Sequence, residues 1–134
     1  MTDQNLKRPS IGLVAHDQKK QDLVEWASQH AHILRHFKIY ATGTTGKHLM
    51  EATNLEIERF QSGPLGGDAQ LGALIATGEL VGLVFFIDPL SALPHDVDVK
   101  ALTRLAIVYD VPLASSPSTA EAVVAYLNEK HLKS

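Results

Sequence analysis

Cysteine is absent from this 134-residue chain. Disulfides, thiolate metal sites and cysteine nucleophiles are excluded together. Basic charge is also scarce: 12 Lys and Arg against 15 Asp and Glu leave a net charge of −3. Nucleic acids and anionic membranes attract chains rich in Lys and Arg, so neither is expected as a partner. Long hydrophobic runs are missing too. The longest, Leu80 to Ile87, has eight residues and includes Gly82, whereas a membrane-spanning helix needs about 20. Met1 to Arg8 is polar with no apolar stretch behind it, so no secretory signal is expected. No repeat, low-complexity tract or Pro/Gly/Ser linker divides the chain, and no Gly-x-Ser-x-Gly elbow supports a serine nucleophile. What is present is a composition 45% hydrophobic and 20% charged, the balance of a globular domain. The expectation is one cytoplasmic domain over 1–134, with a polar arm at 1–9 and a short tail at 129–134.

Along the chain, short apolar runs alternate with helical patterns. Ile11 to Ala15 reads as a strand buried on both faces, followed by a helix over Lys19 to Leu34 with Leu23, Ala27, Ala31 and Leu34 on one side. Phe37 to Ala41, Glu56 to Phe60, Leu80 to Ile87 and Val111 to Ala114 read as four further strands. Between and after them, helices are predicted over Lys47 to Thr53, Asp68 to Thr77, Asp96 to Tyr109 and Ala120 to Leu127. Strands alternating with helices imply right-handed βαβ units, hence a doubly wound α/β sandwich: a five-stranded parallel sheet between two helical layers. Ligands of such sheets bind at the carboxyl ends of the strands, which directs attention to the loops there.

Those loops hold most of the unusual residues. His16-Asp17 with Lys19 and Lys20 is either an Asp helix cap with solvated lysines or a cluster able to hold an anion. Thr42-Gly43-Thr44-Thr45-Gly46 combines glycines, three hydroxyls and the free N–H groups opening a helix, a combination suited to phosphate oxygens. Its plainer reading is a Thr-rich cap. It is neither a P-loop nor a dinucleotide fingerprint, so no nucleotide is implied. Ser62-Gly63-Pro64-Leu65-Gly66-Gly67 leads into Asp68, which is an N-cap or a base. As a base it has a handicap, because a helix N-terminus favours the ionised carboxylate. Asp88-Pro89 and Pro94-His95-Asp96-Val97-Asp98 place a histidine among acids on a proline-stiffened path. That histidine is a metal ligand or a proton carrier with its tautomer set by a carboxylate. No close His pair supports zinc. His30, His32, His36, His48, His131 and Arg104 read as surface residues. Residue types and spacing therefore suggest cofactor-free proton transfer on a small phosphate ester.

The four loop motifs, Val14-Ala15-His16-Asp17 with Lys20, Tyr40 to Gly46, Ser62 to Asp68, and Asp88-Pro89 with Pro94 to Asp98, closely resemble methylglyoxal synthase. The resemblance runs from about Ile11 to Ala125, in order and at family spacing. It implies the methylglyoxal synthase-like fold, of flavodoxin/Rossmann type. It also implies a cytoplasmic homohexamer and a lyase that converts dihydroxyacetone phosphate to methylglyoxal and inorganic phosphate without metal or organic cofactor. By the same resemblance Asp68 is the catalytic base, expected to take a proton from the carbon bearing the phosphate ester, His95 polarises the ketone and shuttles protons, and Asp98 belongs to the same site. His16, Asp17, Lys20, Thr42, Gly43, Thr44, Thr45, Ser62, Gly63 and Asp88 match substrate-contacting positions, and inorganic phosphate is expected to bind there as product and inhibitor.

Two positions depart from the family pattern. Ser115-Ser116 stands where Thr-Asn is usual, and no arginine follows Arg104 in the tail. Two rivals are set against the synthase. One is a non-catalytic regulatory domain binding a phosphorylated effector, as in carbamoyl phosphate synthetase. Such a module has no use for Asp68, His95 and Asp98 together. The other is a metal-dependent lyase, which a chelator would inactivate.

Overall fold

The structure is a computed structural model that describes residues 8–60, 67–90 and 96–132, with the backbone alone at 68 and 96–99. Among these residues five strands form one sheet: β1 (Ser10–Ala15), β2 (Lys38–Ala41), β3 (Ile57–Arg59), β4 (Leu80–Phe86) and β5 (Leu113–Ala114). All pairings are parallel, in the order β3-β2-β1-β4-β5. The expected α/β class and doubly wound parallel sheet are what is found. Every residue of β1 is buried, because helices cover both faces of a central parallel strand.

Among the described residues six α-helices flank the sheet: α1 (Lys20–Gln29), α2 (Ala31–Leu34), α3 (Gly43–Thr53), α4 (Gly67–Ala76), α5 (Asp96–Val108) and α6 (Pro117–Leu127). Leu23, Trp26, Leu49, Val124 and Leu127 pack against one face of the sheet with Ile11, Leu13 and Phe86. Leu71, Ile75 and Leu102 pack against the other with Val14, Leu83 and Phe85. β1 and β2 therefore lead into helices on one face, and β3 and β4 into helices on the opposite face. The crossover direction reverses between β1 and β4, and the crevice at their carboxyl ends is the topological switch point.

Helix ends differ from the sequence reading by a single residue at several positions, and in the following places by more or with greater consequence. The helix expected over Lys19 to Leu34 is interrupted at His30, where the backbone takes φ −115° and ψ 15°. The Trp26 carbonyl oxygen accepts the His30 N–H at 3.1 Å and also lies 2.8 Å from the His30 Nδ1. α3 starts at Gly43 rather than Lys47, so the Gly-Thr-Thr-Gly segment is the first helical turn, not a loop. First-turn N–H groups have no intrahelical acceptor anyway, so the turn is tolerated there and Thr45 and Leu49 are buried one turn apart. α4 begins at Gly67, which puts Asp68 inside the first turn instead of at the cap. α6 begins at Pro117, not Ala120; proline at the start of a helix forfeits no ladder bond. Gly78 stops α4 as expected, at φ +82°, where a side chain would be strained.

Two of the histidines read as surface residues are half-buried. His30 stacks at a tilt on Trp26 with 5.3 Å between centroids, and His131 meets the Phe37 ring edge-on at 6.4 Å. Burial, assisted by the neighbouring Lys130 charge, lowers the His131 pKa below its usual value. His32, His36, His48 and Arg104 are exposed as read.

Candidate active site

Parallel topology brings the ends of β1, β2 and β4 to one edge, and with them most of the described candidate residues. His16 follows β1 directly, and its N–H bonds the Phe86 carbonyl at 3.1 Å. Its ring is held at the switch point. Nδ1 accepts the Asp88 backbone N–H at 2.9 Å, across 72 positions of sequence. The ring also stands edge-on to Phe85, 5.4 Å between centroids and 85° between planes. An Nδ1 that accepts carries no proton, so the neutral ring is the Nε2–H tautomer. Nε2 is buried without a hydrogen-bond partner among the described residues. A buried donor left unpaired is costly, and a ligand oxygen is the partner that would satisfy it.

Asp17 is not the N-cap residue of a helix. It opens a short 3-10 turn, Asp17–Lys19, and its carboxylate pairs with the Lys20 ammonium. The Asp17 side chain is 87% exposed and that of Lys20 only 14%, so the lysine charge is held close to the protein rather than waving in solvent. The solvated-lysine reading fits Lys20 poorly.

Thr42 stands at the N-cap of α3, extended at φ −69° and ψ 157°, and no side-chain hydrogen bond of its own closes the cap. Capping by the Thr42 hydroxyl therefore does not explain this motif. Thr42 and Thr45 are buried while Thr44 is exposed, so the three hydroxyls are not equivalent. A Cβ on Gly46 would lie 2.6 Å from Cγ of Arg59, so the bareness of Gly46 accommodates that side chain. Arg59 also donates from Nε to the Gly43 carbonyl oxygen at 3.0 Å. The sequence reading passed over Arg59; the available signal was an arginine ending a strand just before the Ser62-Gly63 motif.

Asp88 is half-buried after β4, where its Oδ1 accepts the Leu90 N–H at 3.0 Å. Ser115 and Ser116 follow β5 and line a cleft of about 380 Å³ with Lys19, Ile87 and Pro89. Ser62, Gly63 and His95 lie outside the described residues, as do the side chains of Asp68 and Asp98. Their place in the chain is nevertheless constrained. Asp68 sits in the first turn of α4 and Asp98 in the first turn of α5. Both helices follow strands of the parallel sheet and begin at its carboxyl edge. Among the described residues, no group of three or more His, Asp or Glu could hold a metal ion. No helix among them is long and apolar enough to cross a membrane.

Comparison with known proteins bears on the same residues. The family model described as "MGS-like domain" matches residues 22–115. A methylglyoxal synthase of Agrobacterium fabrum is 57% identical over 117 residues, covering 87% of this chain and 92% of that protein. One of Brucella anthropi is 56% identical over 123 residues, covering 91% and 98%. The crystal structure of methylglyoxal synthase from Elizabethkingia anophelis NUHP1 matches with a TM-score of 0.83 at 48% identity, covering 89% of this chain and 78% of that one. Fold, motif order and near-full-length identity agree, and this chain belongs to the methylglyoxal synthase family.

Proposed function

We propose that this protein is a carbon–oxygen lyase that converts dihydroxyacetone phosphate to methylglyoxal and inorganic phosphate. The observation that carries the reading is identity above half, over nearly the full length of relatives named methylglyoxal synthase. The local geometry is consistent with that chemistry. A neutral His16 offers Nε2–H at the switch point, Lys20 is held at the same edge, and the Thr42 cap leaves the first turn of α3 to an anion.

The chemistry dictates which proton leaves. Abstraction from the hydroxymethyl carbon, not from the carbon carrying the ester, creates a C=C bond next to the C–O bond that must break. Asp68 takes that proton and the electron pair becomes the enediolate, whose oxygens need donors. His95 moves the remaining proton from the hydroxyl so that the aldehyde forms as the π pair shifts. The phosphate leaves with its bonding pair, and the resulting enol tautomerises to methylglyoxal. Elimination requires the ester C–O bond to stand out of the enediolate plane; in the plane, the intermediate would only be reprotonated. The α3 turn and Lys20 would hold the bond in that orientation and receive the departing dianion. The base is worth typically about 10²–10⁴-fold, so this positioning carries much of the remaining acceleration. Incubating the pure protein with dihydroxyacetone phosphate and assaying both methylglyoxal and phosphate tests the reading. Release of one without the other refutes it.

Within the cradle, Thr44→Ala and Thr45→Ala are each expected to weaken binding of inorganic phosphate and of the ester by roughly 1–3 kcal/mol, the value of a charge-assisted donor. Calorimetric titration with phosphate checks this, and parental affinity in both variants would reduce the motif to a helix start.

The same reading includes a homo-oligomer, the hexamer implied by the resemblance. Ile107, Val108 and Tyr109 at the end of α5 are 76%, 65% and 48% exposed, an apolar run that water does not favour. Ile107→Glu is expected to lower the mass seen by light scattering toward that of the 14.6 kDa chain. An unchanged mass would place the interface elsewhere.

A further inference from the structure

Arg59 ends β3, an edge strand, directly opposite Ala41 in the parallel register. The Phe60 N–H bonds the Ala41 carbonyl at 2.8 Å, so the pairing extends to the residue after Arg59. Side chains alternate along a strand, and Arg59 therefore shares a face with Ile57, which packs on the α1/α3 side of the core. That face carries Arg59 beyond the core and onto the first turn of α3. There it makes two contacts. Nε donates to the Gly43 carbonyl at 3.0 Å, and Cγ lies where a Cβ on Gly46 would come within 2.6 Å. The turn and the arginine are shaped to each other.

The arrangement is unfavourable in one respect. A guanidinium is placed at the positive end of a helix, where the backbone dipole favours anions. Arg59 is also exposed, so burial does not compensate for holding a long side chain in one position. An anion in the turn reverses the sign of the electrostatic term. We infer that Arg59 is a positioning residue for the phosphoryl group. Its Nε–H and aliphatic stem hold the Thr42–Gly46 turn in the shape that receives phosphate, with positive charge close by. This rests on the reading of that turn as the phosphate cradle. It gives Gly46 a role that no ligand contact supplies.

The experiment compares the parent, Arg59→Ala, Arg59→Lys, Gly46→Ala and the Gly46→Ala/Arg59→Ala double variant. Thermal melting confirms that each is folded. For Arg59→Ala, KM for dihydroxyacetone phosphate and the dissociation constant of inorganic phosphate are expected to rise together by about tenfold, as for loss of one charge-assisted hydrogen bond. The change in kcat is expected to stay within about threefold, because the chemical groups are untouched. Arg59→Lys keeps charge and stem but has no donor at the Nε position, so it is expected to recover only part of the loss. Gly46→Ala displaces the arginine and is expected to resemble Arg59→Ala, with the double variant no worse than either. Unchanged phosphate affinity, a loss confined to kcat, full recovery by lysine or independent multiplying losses would each overturn the inference. The parent separates this failure from that of the underlying reading. A parent that binds phosphate but does not turn over the ester refutes the lyase while leaving the Arg59 comparison decisive. A parent that does neither overturns both.

Discussion

Asp68→Asn is expected to lower turnover of dihydroxyacetone phosphate by about 10²-fold or more, the range for loss of a general base. Asparagine matches aspartate in shape and can occupy the same position in the first turn of α4. It cannot accept a proton from carbon. Binding of the ester and of inorganic phosphate is therefore expected to remain near the parental values, so the loss falls on kcat. The signature is the disappearance of solvent deuterium exchange into recovered substrate, in parallel with loss of methylglyoxal. Near-parental turnover in this variant would remove Asp68 as the base and move the assignment to Asp98 or Asp17. An equal fall in phosphate affinity would mean that the substitution disturbs the helix start instead.

The second large effect is expected at His95, which precedes α5 with Asp96 and Asp98 in that helix's first turn. His95→Gln keeps a donor for the ketone oxygen but cannot accept a proton and return it. Removal of the carbon-bound proton is expected to slow, since the developing oxyanion is less well stabilised; loss of one such donor costs about 10²–10³-fold in rate elsewhere. Any enediolate that does form needs its hydroxyl proton moved before phosphate can leave. It is therefore expected to return to substrate more often. The ratio of deuterium incorporation to methylglyoxal release should rise while both rates fall. A variant with parental rate and ratio would make His95 structural and pass the proton transfer to Asp98 or to a bound water.

The strands were legible in the sequence because a parallel sheet covered on both faces demands continuous apolar runs, and Ile11 to Ala15 and Leu80 to Ile87 supply them. Helix ends were less so. Nothing in the composition around His30 signals a break, and its non-helical backbone angles are seen only in the fold. The Gly-Thr-Thr-Gly segment has the composition of a loop, yet it opens α3 because a first turn tolerates residues that a helix interior does not.

The candidate site divides along the same line. Residue types in the loops are what suggested its chemistry: hydroxyls and glycines for phosphate, Asp68 and His95 for protons. Those choices depend on functional groups and on position after a strand, both of which are present in one dimension. Which groups meet was settled by strand order. β1 lies beside β4, so His16 reaches Asp88 across 72 positions and its tautomer is determined by a backbone N–H. β2 lies beside β3, so Arg59 comes to rest on Gly43 and Gly46. Contacts of that kind have no local signature, because they are made by packing and register between segments that the chain itself keeps far apart.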